Sequence, residues 1–153
     1  MSTADAGMEA LLEAFIYETN TMLEQLDEIL LESEKAKSIS EENTNSIFRI
    51  THTIKGSAAM MNYDGISNLA HSVEDVFYII REDPAKLDLV FDAIFDLVFQ
   101  ASDFFKQEIA KIQEGNYEAA DPTEMISRLE EQARIMKGEI LKASPARDEA
   151  GKA

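Results

Sequence analysis

The sequence predicts an all-α protein, built as an up-down-up-down four-helix bundle with an additional C-terminal helix. Two observations carry this. Apolar residues recur at three- and four-residue steps through long runs, which is the spacing of one helix face. Only three prolines and six glycines occur in 153 residues, too little turn material for a chain of many short strands. With 45% apolar residues, the chain can bury the core of one domain.

A first helix is expected over about 8–35, where Leu11, Leu12, Phe15, Thr19, Met22, Leu26, Ile29 and Leu30 make one stripe. Lys37-Ser38-Ile39-Ser40 breaks it. Ser40 suits the N-cap of a second helix over about 41–61, with Glu41 and Glu42 favourably placed in the first turn. Its stripe is Ile47, Ile50, Ile54, Ala58 and Met61, and Asn62-Tyr63-Asp64-Gly65 reads as a turn. A third helix over about 65–82 carries Ile66, Leu69, Ala70, Val73, Val76, Phe77 and Ile80, and Pro84 closes it.

The fourth helix is expected over about 85–113. Leu87, Val90, Phe91, Ile94, Leu97, Val98, Phe104, Phe105, Ile109 and Ile112 form its main face, and Gly115-Asn116 its stop. Phe91, Phe95 and Phe99 add a second apolar row, which a fifth helix over about 122–140 is expected to cover. Asp121 and Pro122 suit the start of that helix. Residues 142–153 lack periodicity and read as a linker or disordered tail.

Composition excludes several functions. The absence of cysteine removes disulfides, thiol catalysis and cysteine-ligated zinc. A net charge of −16 repels nucleic acid and anionic membrane surfaces, so neither is an expected partner. The N-terminal residues have no signal-peptide pattern. The longest apolar stretch, Leu87 to Phe99, is interrupted by Asp88, Asp92 and Asp96 and is too short to span a bilayer. These features predict a soluble, cytoplasmic protein without membrane insertion. No G-x-x-x-x-G-K-[ST] loop is present, so the chain is not expected to bind ATP or any other cofactor. A di-iron bundle would need Glu-x-x-His pairs. Arg49 and Asn68 stand three residues before the two histidines, so no metal is expected.

Those histidines are the candidate chemistry. At 100° per residue, His52 lies about 140° from the direction set by Ile47, Ile54 and Ala58, at the bundle edge or facing solvent. Phe48, Lys55, Gly56 and Ala59 lie on its side of the helix, within two turns of it. A mid-helix glycine costs roughly 1 kcal/mol relative to alanine. Gly56 therefore marks either close approach of a partner to the imidazole or a kink or tight helix contact. On the third helix, His71 and Glu74 share a side away from the Ile66–Val73–Phe77 stripe. If the second and third helices are antiparallel neighbours, that side adjoins His52. A carboxylate holding Nδ1–H would leave Nε2 as a nucleophile.

The run His52-Thr53-Ile54-Lys55-Gly56-Ser57-Ala58-Ala59-Met60-Met61 resembles the phosphorylation segment of the histidine-phosphotransfer (HPt) domain family. Leu69-Ala70-His71-Ser72-Val73-Glu74-Asp75-Val76 resembles the following helix of the same domain. Within the family, the likeness is strongest to the N-terminal domain of CheA-type chemotaxis histidine kinases. It covers about the first four helices, and Asn62 departs from a glycine common in relatives.

The resemblance implies that His52 is the phosphoacceptor and that Glu74 holds its imidazole. It implies that Lys55 and His71 complete a polar network, and that Gly56, with Phe48 and Ala59 beside it, keeps the partner's approach clear. The implied partners are the catalytic domain of a histidine kinase, which would carry ATP and Mg, and the receiver domain of a response regulator. The domain would be a kinase's substrate and no enzyme on its own. A stand-alone HPt relay protein and a non-catalytic helical interaction bundle are the alternatives.

Overall fold

The computed structural model describes residues 3–141, which form α1 (Thr3–Ala36), α2 (Glu41–Met60), α3 (Asp64–Glu82), a 3-10 helix (Pro84–Leu89), α4 (Phe91–Glu114) and α5 (Thr123–Met136). Among the described residues there is no strand. The first four α-helices run antiparallel to their neighbours in an all-α bundle, with α2 packed most extensively on α3, and α1 on α4. Most of the predicted stripe residues face inward: Leu26, Ile47, Ile54, Leu69, Phe77, Ile94 and Phe105 are fully buried, whereas Leu11 is exposed and Leu23, which the expected stripe left out, joins the α1 core. Each buried side chain contributes roughly 1.5–3 kcal/mol by leaving water.

Helix ends follow local chemistry. Ser40 caps α2, its hydroxyl accepting from the Asn43 N–H at 3.0 Å. Asn62 takes the left-handed conformation after α2 (φ 66°), so the turn survives without glycine. The Tyr63 N–H then donates to the Ala58 carbonyl at 2.8 Å. Gly115 (φ 95°) stops α4. The following loop is tied down by buried Glu108, which accepts from the Tyr117 hydroxyl at 2.6 Å and the Ala120 N–H at 3.2 Å, and pairs with Lys111 at 2.6 Å. Burial and this carboxylate push the Tyr117 hydroxyl pKa upward.

Four expectations need correction. The first helix begins at Thr3, five residues before Met8. Residues 5–11 are exposed, so hydrophobic periodicity does not register the opening of the helix.

The expected fourth helix is two elements. Pro84 starts the 3-10 helix, and Val90, at φ −137°, cannot continue it. Both Leu87 and Val90 remain buried, so the apolar pattern runs unbroken across the break.

The fifth helix ends at Met136 and does not reach residue 140. Gly138 (φ 81°) turns left-handed there, and the Glu139 N–H closes on the Arg134 carbonyl at 2.9 Å.

Finally, α5 does not cover the Phe91–Phe95–Phe99 row. It meets α4 on another flank, through Ala93, Asp96, Leu97 and Gln100. Phe95 and Phe99 instead border a groove shared with Leu30 and Leu31 of α1, and Phe99 stays half exposed. The expected tail, 142–153, lies outside the described residues. No described helix is long and apolar enough to cross a membrane.

Candidate functional site

The site occupies the outer face of the α2–α3 pair. Antiparallel packing sets Phe48, His52 and Lys55 on α2 opposite Glu74, Tyr78 and Arg81 on α3. Each set is spaced four and three residues apart and so forms one row per helix. The Ser67 hydroxyl also donates to the Lys55 carbonyl at 2.9 Å, stitching the two helices beside the site.

His52 lies where its helical phase puts it, with its side chain 63% exposed. Its Nδ1 is 2.6 Å from Glu74 Oε2, and the other Glu74 oxygen is 2.7 Å from Lys55 Nζ. Glu74 is buried (7% exposed), although its phase suggested a surface face. The groove between α2 and α3 encloses it, and its two partners neutralise it there. Burial is the largest single influence on its carboxyl and pushes the pKa up. The hydrogen bonds and charges of Lys55 and His52 together outweigh burial and hold the pKa below the ordinary carboxylate value.

An ionised carboxylate can only accept. The short contact therefore places a proton on Nδ1, and in the neutral tautomer so fixed the Nε2 lone pair is free. The ring is bonded at Nδ1 and its side chain is 63% exposed.

The other predicted residues separate into groups. Gly56 is open: a side-chain carbon built on it would meet nothing within 4 Å, so a tight helix contact does not account for it. Ala59 is likewise exposed. Phe48 is half-buried and stacks beside the His52 ring, with centroids 6.3 Å apart and planes at 9°. His71 does not join the network. Its Nε2 points to exposed Asp75, 3.4 Å away on its own helix, and among the described residues no hydrogen bond or ion pair ties it to His52 or Glu74. Three residues before Glu74 it lies about 60° round the helix, and there its side chain is 57% exposed, whereas that of Glu74 is buried.

Sequence reasoning missed Tyr78 and Arg81. The Arg81 guanidinium carbon lies 4.3 Å from the centroid of the Phe48 ring, and Tyr78 packs on that ring at 6.4 Å. Their spacing from Glu74 was the available signal.

A hollow bordered by Leu12, Ile16 and Ile112 lies away from this site and takes no residue from α2 or α3. Among the described residues no cluster of three or more His, Asp or Glu could hold a metal ion.

The geometry defines a class: a helical bundle that displays one carboxylate-oriented, solvent-exposed histidine on its outer face. This chain belongs to the Hpt domain family, whose model matches residues 10–115. It is 32% identical over 125 residues to the chemotaxis protein CheA of Treponema pallidum, covering 82% of this chain and 15% of that protein. It is 33% identical over 107 residues to the sensor histidine kinase CheAY of Helicobacter pylori, covering 70% of this chain and 13% of that one. Against the chemotaxis protein CheA of Halobacterium salinarum it is 34% identical over 106 residues, 69% of this chain and 15% of the relative. The chain thus spans about 15% of the length of the curated relatives it matches. No solved structure matches it.

Proposed function

We propose that His52 is the phosphoacceptor of this Hpt domain, that a separate ATP-binding kinase domain phosphorylates it, and that it passes the phosphoryl group to an aspartate of a response regulator. The observation that carries this reading is the 2.6 Å bond from Nδ1 to Glu74 beneath a ring that is 63% exposed. The Nε2 lone pair attacks the γ-phosphorus of ATP. The N–P bond forms as the bond from phosphorus to the bridging oxygen breaks, and ADP leaves with that electron pair. The imidazole becomes positively charged as it attacks, and Glu74 stands ready as the counter-charge. Lys55, paired with Glu74, keeps that carboxylate ionised and oriented. ATP and its Mg ions belong to the donor domain, and this chain contributes only the nucleophile and its setting.

The onward step reverses the polarity. An aspartate oxygen attacks phosphorus, the N–P bond breaks, and the electron pair returns to Nε2. The open space beyond Gly56 and the exposed Ala59 suit the close approach both steps need.

A place in a CheA-type chemotaxis kinase is favoured over a stand-alone relay, because the relatives it resembles are chemotaxis proteins CheA and a sensor histidine kinase CheAY. A cytoplasmic site of action follows from an ATP-dependent donor.

The test is incorporation of labelled phosphate from ATP by a CheA kinase core supplied in trans. Wild type should take up acid-labile, alkali-stable label, and His52→Gln should take up none. Equal label on both would contradict the proposal. No label on a folded wild type with a competent core would move the reading to the relay, tried with a phosphorylated response regulator.

A further inference from the structure

Glu74 fixes one point of the His52 ring, at Nδ1. The covalent tether at Cγ holds a second point, so the plane can still rock through coupled rotation about the Cα–Cβ and Cβ–Cγ bonds. The lone pair of Nε2 lies in the ring plane, so that plane decides where the nucleophile aims. In-line attack depends on that aim. A contact on the flank of the ring narrows that rocking.

Phe48 offers it. It sits one turn before His52 on α2, with its ring nearly parallel to the imidazole (9°, 6.3 Å between centroids). On the outer side of α2, however, Phe48 has rotamer freedom of its own. α3 removes that freedom. Arg81 lies over the Phe48 face at 4.3 Å, and Tyr78 packs against the ring at 6.4 Å. Among the described residues Arg81 is paired with no carboxylate, so the aromatic face is its partner.

We propose that Arg81 is a positioning residue: by lying on Phe48 it holds that ring against the flank of His52 and so sets the imidazole plane. This rests on the proposed role of His52. It adds a residue that acts through another, from the neighbouring helix.

The experiment compares wild type with Arg81→Ala, Arg81→Lys, Phe48→Leu and the Arg81→Ala/Phe48→Leu double variant. Phosphorylation by a kinase core in trans gives kcat and KM for the domain as substrate. NMR of the two histidine rings in the unphosphorylated protein reports the ring setting directly, with exposed His71 as the internal reference. Arg81→Ala should lower kcat about two- to fivefold, the scale of an exposed cation–aromatic contact, and leave KM unchanged. Lysine, which keeps the charge and loses the planar stack, should restore it in part. The double variant should be no slower than Phe48→Leu alone, because Arg81 acts only through that ring. The His52 resonances should move toward those of His71.

A raised KM at unchanged kcat would make Arg81 a docking charge and overturn the proposal. So would multiplicative losses in the double variant, or His52 resonances that do not move in Arg81→Ala. Absence of label on wild type would count against the role of His52 itself, and the ring resonances would then judge the positioning on their own.

Discussion

Removing the carboxylate behind His52 gives the sharpest perturbation of the site. In Glu74→Ala, the imidazole loses its 2.6 Å acceptor and Lys55 loses its 2.7 Å partner. A hydrogen bond to a charged group contributes roughly 1.5–3 kcal/mol. The attacking ring gains positive charge as phosphorus is bound, so this bond strengthens toward the transition state. If its whole strength is expressed there, the loss is roughly 10- to 100-fold in phosphorylation rate. Stability should change far less. Lys55 is 31% exposed and can turn to solvent, so removing its partner strands no fully buried charge. Glu74→Gln divides the effect. Its amide oxygen can still accept from Nδ1–H, but the counter-charge is gone, so its rate should fall between wild type and alanine. The assay is single-turnover labelling by a kinase core in trans, with circular dichroism and a urea midpoint as folding controls. A folded Glu74→Ala that labels at the wild-type rate would refute the assigned role.

Acid should act through the same residue. The folded pKa of Glu74 lies below its ordinary value of 4.5, so the unfolded state binds more protons in between. Its stabilising contribution is full above about 4.5 and is lost as pH falls through the folded pKa. The urea-midpoint gap between wild type and Glu74→Gln should therefore narrow as pH drops through this range, and an unchanged gap would contradict the shift. Gly56→Ala should stabilise the helix by about 0.4–1 kcal/mol, since the new methyl meets nothing within 4 Å. Gly56→Leu should remain folded but lose phosphorylation by obstructing the partner, and undiminished labelling would dismiss that role for Gly56. In the core, Phe77→Ala should cost about 3–5 kcal/mol in urea unfolding, because Phe77 is fully buried.

Much of the molecule was legible in its sequence, because most of these helices obey one rule: bury the stripe. The same rule exposed His52, which lies off the stripe of its own helix. Glu74 was legible as a partner but not as a buried one. Its depth depends on how α3 rolls against α2, which no single-helix phase contains. His71 shows the converse. Sharing a side with Glu74 in sequence placed it near the site, and the same roll leaves it facing Asp75. The break at Val90 was hidden because the residues on both sides of it remain apolar and buried. The flank taken by α5 was hidden because several sides of α4 are apolar enough to receive a neighbour. Arg81 could have been found from its seven-residue spacing to Glu74, but its contact with Phe48 depends on the distance between two helices.

The central claim concerns one atom, Nε2 of His52. Its most direct test is phosphorus and nitrogen NMR of the domain after phosphorylation by a kinase core, with imidazoles labelled with nitrogen-15. The account expects one phosphohistidine, at His52, with phosphorus coupled to Nε2 and the proton retained on Nδ1 facing Glu74. Phosphorus on Nδ1, on His71 or on no histidine would contradict it.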